Sequence, residues 1–255
     1  MMPEPMNTGE PGAAAPPEPP VLASGRPPAA RDLVRVAQGC YLIFWGLLVT
    51  LVMAGQLLMG IPLPSLMESF LAAGVVSIVV GSWRMHQADR CGDLWRARTA
   101  TALAWAGLLA YGAVFLHLWR RVPDNFFLQI NALVFPVVYI WYLVAFGRAA
   151  TALADDWANR QLRQESRWYS VATVVLLLVP FSALAIFVMV LAVLQKENPL
   201  FWLRYSLARV PTAVLVVVLL PLALTLSLAW AIKDLALQRL SAYEPGQPKA
   251  GDGAP

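Results

Sequence analysis

Residues that carry out chemistry are scarce in this chain. Its 255 residues include two histidines (His86, His117), two cysteines (Cys40, Cys91) and three lysines, and charged residues of all kinds make up 13%. Two cysteines on the side expected to be reducing cannot form a disulfide framework. The one stretch rich in metal-ligand types, with His86, Asp89, Cys91 and Asp93, lacks a second thiol at tetrahedral spacing, and Arg84 and Arg90 oppose a cation. No metal and no cofactor is expected. Intramembrane hydrolysis needs paired Asp, Ser with His, or a His and Glu metal site at depth. The deep apolar positions hold no Asp, Lys or Arg, so the chain is read as non-enzymatic.

Apolar sequence is abundant. Hydrophobic residues make up 59% of the chain, too large a share for a soluble core of this size to bury. Uncharged runs cover 36–67, 69–83, 99–119, 125–147, 168–195 and 210–232. A helix needs about 20 apolar residues to cross the hydrocarbon core. The first run is too long for one span and is interrupted by Gly60, Pro62 and Pro64, which punctuate helices. The sequence therefore predicts an all-α integral membrane protein, a six-transmembrane-helix bundle with spans near 38–59, 64–83, 99–119, 125–147, 169–194 and 210–232. The transmembrane domain covers 36–240. Residues 1–35, with nine prolines in the first thirty positions and no basic start ahead of an apolar run, read as a disordered tail without a signal peptide, and 241–255 as a second disordered tail.

Charge sets the expected orientation, because cationic flanks stay on the cytoplasmic side during insertion. Lys and Arg number 14 in the N-terminal tail, the 2/3 and 4/5 loops and the C-terminal tail, against 5 in the other three loops. Both termini are expected in the cytoplasm, as an even number of spans requires. The small net charge of +4 suits an anionic membrane surface, and no nucleic acid partner is expected. The expected partners are the lipid bilayer and other membrane proteins. Arg outnumbers Lys sixteen to three amid abundant Ala, Gly and Pro, a bias that points to a GC-rich gene and a bacterial cytoplasmic membrane. Trp and Tyr favour the headgroup level, and Tyr41, Trp45, Trp83, Trp141, Tyr142, Trp168, Tyr169 and Trp230 fall in the inner halves or at the inner ends of the spans, while Trp119, Phe126, Phe127, Trp202 and Tyr205 mark the outer side.

Small residues four apart let helices approach closely in lipid. Gly46, Thr50 and Ala54, then Ala73, Ser77 and Gly81, then Ala102, Ala106 and Ala110 form such stripes on helices 1 to 3, which are expected to pack together. Pro136, Pro180 and Pro221 fall near mid-span in the other three helices. After helix 4, Phe146, Ala150, Leu153 and Trp157 recur at helical spacing and extend it beyond the membrane.

Only Glu68 and His117 are ionisable groups within the apolar segments, where charge is costly and is retained for function. Gln56, Gln129 and Asn131 fall in the same outer layer, and the five residues are the candidate ligand-binding set. They would form a polar cluster that binds a small solute or relays a proton. The competing expectation, which the scarcity of deep polar residues favours, is a structural, regulatory or assembly component of a membrane complex, with these amides serving only to join helices.

Overall fold

The computed structural model describes residues 29–58, 65–88, 92–122, 125–179, 181–183, 186–187, 190, 194 and 212–243. The described part is all helical. In chain order, α1 is Ala30–Leu58, α2 Ser65–His86, α3 Asp93–Arg121, α4 Phe126–Asp156, α5 Arg160–Thr173 and α6 Thr212–Tyr243. A π-helical turn, Val174–Leu178, continues α5. Its widened ring, closed by the Val179 N–H on the Val174 carbonyl, directly precedes Pro180 in the sequence. Six segments are long and apolar enough to cross a membrane: Ala30–Met53, Ser69–His86, Asp93–Trp119, Phe126–Asp156, Arg160–Ala183 and Leu220–Ala242. The residues expected to form tails lie outside the described residues as far as 28 and from 244, as does the stretch 195–211.

All six helices extend past the expected spans, and three do so furthest where no continuation was expected. Helix α1 starts at Ala30 and α5 at Arg160, while α6 runs to Tyr243. At about 1.5 Å per residue, the 32 residues of α6 reach about 48 Å, well beyond a hydrocarbon core of about 30 Å. Polar residues end an apolar run without ending a helix, because each turn keeps its backbone bonds. Pro136 and Pro221 likewise lie within unbroken helices.

Each helix packs on its sequence neighbours, and α6 closes the ring against α1. The most buried is α4, with 65% of its apolar window inside the bundle against 24–44% for the other five. Its continuation past the apolar run is inside too: Phe146, Ala150, Leu153 and Trp157 are all buried.

Helices α1 and α2 meet backbone to backbone. A Cβ added at Gly46 would sit 2.7 Å from the Gly74 carbonyl oxygen, and one at Gly81 would sit 2.7 Å from that of Gly39. The contact repeats every seven residues on both helices, so four glycines set the separation. The stripe expected on α2 differs in phase. Ala73 is exposed and Ser77 partly so, while Leu71, Gly74, Val75, Ile78, Gly81 and Ser82 face inward. On α1 the expected Gly46 and Thr50 do lie in the interface, with Thr50 fully buried where Gly74 lacks a side chain. Ala54 has a helical backbone, and its side chain lies outside the described residues.

Candidate functional site

The five candidate residues occupy four helix ends. Gln56 lies in the last turn of α1, Glu68 in the first turns of α2, His117 near the end of α3, and Gln129 and Asn131 near the start of α4. Short links join α1 to α2 and α3 to α4, so all five are at one end of the bundle. The His86 Nδ1 to Thr99 Oγ1 contact of 3.2 Å fixes the antiparallel register of α2 and α3. Glu68 precedes His86 by 18 residues and His117 follows Thr99 by 18, which is five full turns in each helix. The two backbone positions are therefore level along the bundle. His117 is partly buried and has a partner. Asn131 turns inward on its own helix, its amide donating to the Phe127 carbonyl at 2.8 Å. The side chains of Gln56, Glu68 and Gln129 lie outside the described residues.

Polar order in the bundle interior comes from tyrosine, serine and threonine hydroxyls, of which only Tyr142 and Tyr169 carried an expectation, at the headgroup level. Tyr139 donates to the Leu47 carbonyl of α1 at 3.1 Å. Tyr142 and Ser82 of α2 share a hydrogen bond of 3.0 Å. Tyr169 of α5 donates to the Leu143 carbonyl at 3.0 Å, and the Thr225 hydroxyl of α6 lies 2.9 Å from it. Thr225 is also 2.8 Å from the Pro221 carbonyl, and its single O–H serves one of these acceptors at a time. Through three tyrosines, α4 is tied to α1, α2, α5 and α6. This corrects the headgroup assignment of Tyr142 and Tyr169, which are 0% and 3% exposed. Tyr41, Trp45, Trp83, Trp168 and Trp230 do stand on the surface. The detectable signal was the inward phase of Tyr139 and Tyr142, three residues apart in the middle of a helix. Every hydroxyl in this network is hydrogen-bonded, and the bonds join one helix to the next.

Two arginines close the opposite end. Arg35 of α1 donates to the Gln87 carbonyl after α2 at 2.7 Å, and Arg239 of α6 donates to the Trp157 carbonyl after α4 at 2.7 Å. The guanidinium of Arg239 also stacks 4.8 Å from the Trp157 ring. Each cation satisfies a carbonyl that a helix end leaves open. Between α4 and α5 the chain reverses at Ala158, whose φ of 50° is left-handed. Asn159 N–H bonds the Ala154 carbonyl and Ala158 N–H that of Asp155, the paired bonds of a Schellman motif. Asn159 then caps α5 by accepting from Leu162 N–H at 3.0 Å.

This turn aims α5 so that Leu162, Ser166, Tyr169 and Thr173 face inward. Arg160, Arg163, Gln164, Arg167, Trp168 and Val171 are left lining an open recess of about 510 Å³. Among the described residues no three His, Cys, Asp or Glu side chains come close enough to hold a metal. Within the former ligand-rich stretch, His86 bonds Thr99, while Asp89, Arg90 and Cys91 lie outside the described residues. No family model matches the chain, and no curated protein or solved structure resembles it. Any functional reading therefore rests on this geometry.

Proposed function

We propose that the chain is a non-catalytic multi-pass protein of a bacterial cytoplasmic membrane, with both termini cytoplasmic, serving as a structural, regulatory or assembly component of a membrane complex. The observation that carries this reading is the contrast between the interior and the exterior of the bundle. Inside, apolar side chains fill the space between helices, with tyrosine hydroxyls bonded to backbone carbonyls or to a neighbouring hydroxyl. Outside, large apolar residues such as Val76, Val80, Leu108, Val114, Val175 and Val179 stand exposed along the helices. A surface of that kind suits lipid and neighbouring helices. The arginine-rich end gives the orientation its support, since cationic flanks are retained in the cytoplasm.

Purification from native membranes in a lipid-preserving polymer, followed by mass spectrometry, tests the role. A second membrane protein recovered in fixed stoichiometry is the expected result. Recovery of the chain alone contradicts an assembly role.

A second reading is supported by the α2–α3 register, which levels Glu68 with His117. On that reading the polar end binds or passes a small solute or protons. Vesicle flux that is present in the wild type and lost in both Glu68→Gln and His117→Ala would favour it over the assembly role.

A further inference from the structure

The outward stripe of α5 is graded along its length. Arg160, Gln164, Arg167, Val171 and Val175 recur at intervals of three and four, with Arg163 and Trp168 alongside. The cations occupy the first two turns. Trp168 follows at 70% exposure, and Val171, Val175 and Val179 are each more than half exposed. Arg163 is held by Asp155, Nε to Oδ1 at 2.7 Å, and still borders the recess. Arg160 and Arg167 have no ion-pair or hydrogen-bond partner among the described residues. Two unpaired guanidiniums and one paired one thus leave the recess positive. A second recess of about 570 Å³ lies beyond Trp168 between α5 and α6 and contains Glu165, so it does not suit an anion.

This order matches the parts of a phospholipid. A guanidinium is shaped for bidentate contact with phosphate, and Trp sits at the level where headgroup meets acyl chain. From Val171 to Val179 the stripe rises about 12 Å, most of the depth of one leaflet of about 15 Å. We infer that this face of α5 is a binding site for an anionic phospholipid, its phosphate held between Arg160 and Arg167 beside Trp168 and one acyl chain laid along Val171, Val175 and Val179. The inference rests on the membrane reading above and goes further in naming the lipid class and the residues that select it. The Schellman turn at Ala158 and the Asn159 cap hold the first turn of α5 in place, so the arginine recess is preformed.

The test uses the full chain, first as membranes washed with alkaline carbonate and then delipidated and exposed to an equimolar mixture of phosphatidylglycerol and phosphatidylcholine with the same acyl chains. Bound lipid is counted by native mass spectrometry. The wild type retains phosphatidylglycerol in preference. Arg160→Gln with Arg167→Gln lowers that preference about thirtyfold, as expected from two cations at an anionic surface. Arg96→Gln with Arg98→Gln removes two exposed cations from α3 at the same end and leaves the preference intact. Because all four guanidiniums are exposed, both double variants keep the fold. Equal losses in the two double variants, or no preference in the wild type, overturn the site. Competition by millimolar inorganic phosphate overturns the lipid assignment in favour of a simple anion site. If carbonate strips the chain from membranes, the membrane reading itself fails; if the chain resists carbonate yet shows no lipid preference, only this inference fails.

Discussion

Filling the glycine contact between α1 and α2 should separate the two helices at a predictable cost. A Cβ at residue 81 would lie 2.7 Å from the Gly39 oxygen and 2.7 Å from Ile43 Cγ1. Ordinary contact begins near 3.4 Å, so the neighbours must withdraw by about 0.7 Å. A carbonyl oxygen within a helix cannot swing aside, which leaves movement of the whole helix. Overpacking of this kind costs about 1–3 kcal/mol. The gain in helix propensity from Gly to Ala, about 1 kcal/mol, offsets part of that. Gly81→Ala and Gly46→Ala are each expected to destabilise the bundle by about 0–2 kcal/mol in net terms, which is about 1–3 kcal/mol below a Gly→Ala change that meets no neighbour. Gly107, on the outside of α3, is the internal control, because a Cβ there meets nothing within 4 Å. Gly107→Ala should be neutral or stabilising by up to about 1 kcal/mol. The two contact sites are seven residues apart, yet one outward shift of the helix relieves both, so the double variant should lose less than the sum of the single losses. Reversible unfolding by denaturing detergent, followed by the circular dichroism of the helices, measures all four proteins. The reasoning is refuted if Gly46→Ala or Gly81→Ala is as stable as Gly107→Ala.

Other positions carry independent expectations. Tyr169→Phe removes the second hydrogen bond to the Leu143 carbonyl and a neighbour of Thr225, for a loss of about 1 kcal/mol, and a double-mutant cycle with Thr225→Ala should show coupling between the two sites. Arg239→Leu exposes the Trp157 carbonyl and unstacks its ring, so hydrogen exchange at the junction of α4 and α5 should accelerate, and Arg239→Lys should restore only part of the protection because an ammonium lacks the planar fork. Ala158→Gly relieves a left-handed alanine and should stabilise the protein by about 1 kcal/mol, read in the same detergent titration.

The long apolar runs made the six helices legible, because span length is set by bilayer thickness and needs no tertiary information. Their ends were less legible. Arg160, Arg163 and Arg167 interrupt hydropathy, yet they lie on the outward stripe of a helix whose other face carries Leu162, Ser166 and Tyr169. A count of charge cannot separate those faces, whereas their spacing can. The glycine contact was half visible. Gly46 and Gly81 fell in the expected stripes, but their partners Gly39 and Gly74 lie seven residues away, and a search at spacing four passes over them. Tyr142 and Tyr169 sit near runs of aromatics that favour the headgroup level. What buries them is the presence of Ser82, Leu143 and Thr225 across the bundle, a fact of tertiary pairing. Arg35 and Arg239 counted only as positive flanks, and their carbonyl partners, 52 and 82 residues distant, appear only in the fold. The five candidate polar residues fall at helix ends on one side of the bundle, and the level placement of the Glu68 and His117 backbone positions follows from the His86 and Thr99 contact.

Thiol accessibility in intact cells tests the six-span membrane account most directly. With Cys40 and Cys91 replaced by serine, single cysteines are placed at three exposed sites: Leu94 and Val122 at opposite ends of α3, and Ser241 near the end of α6. An impermeant maleimide is predicted to label Val122→Cys in intact cells, and to label Leu94→Cys and Ser241→Cys only after permeabilisation. Labelling of all three in intact cells, or labelling of Leu94 and Ser241 on opposite sides, would contradict the account.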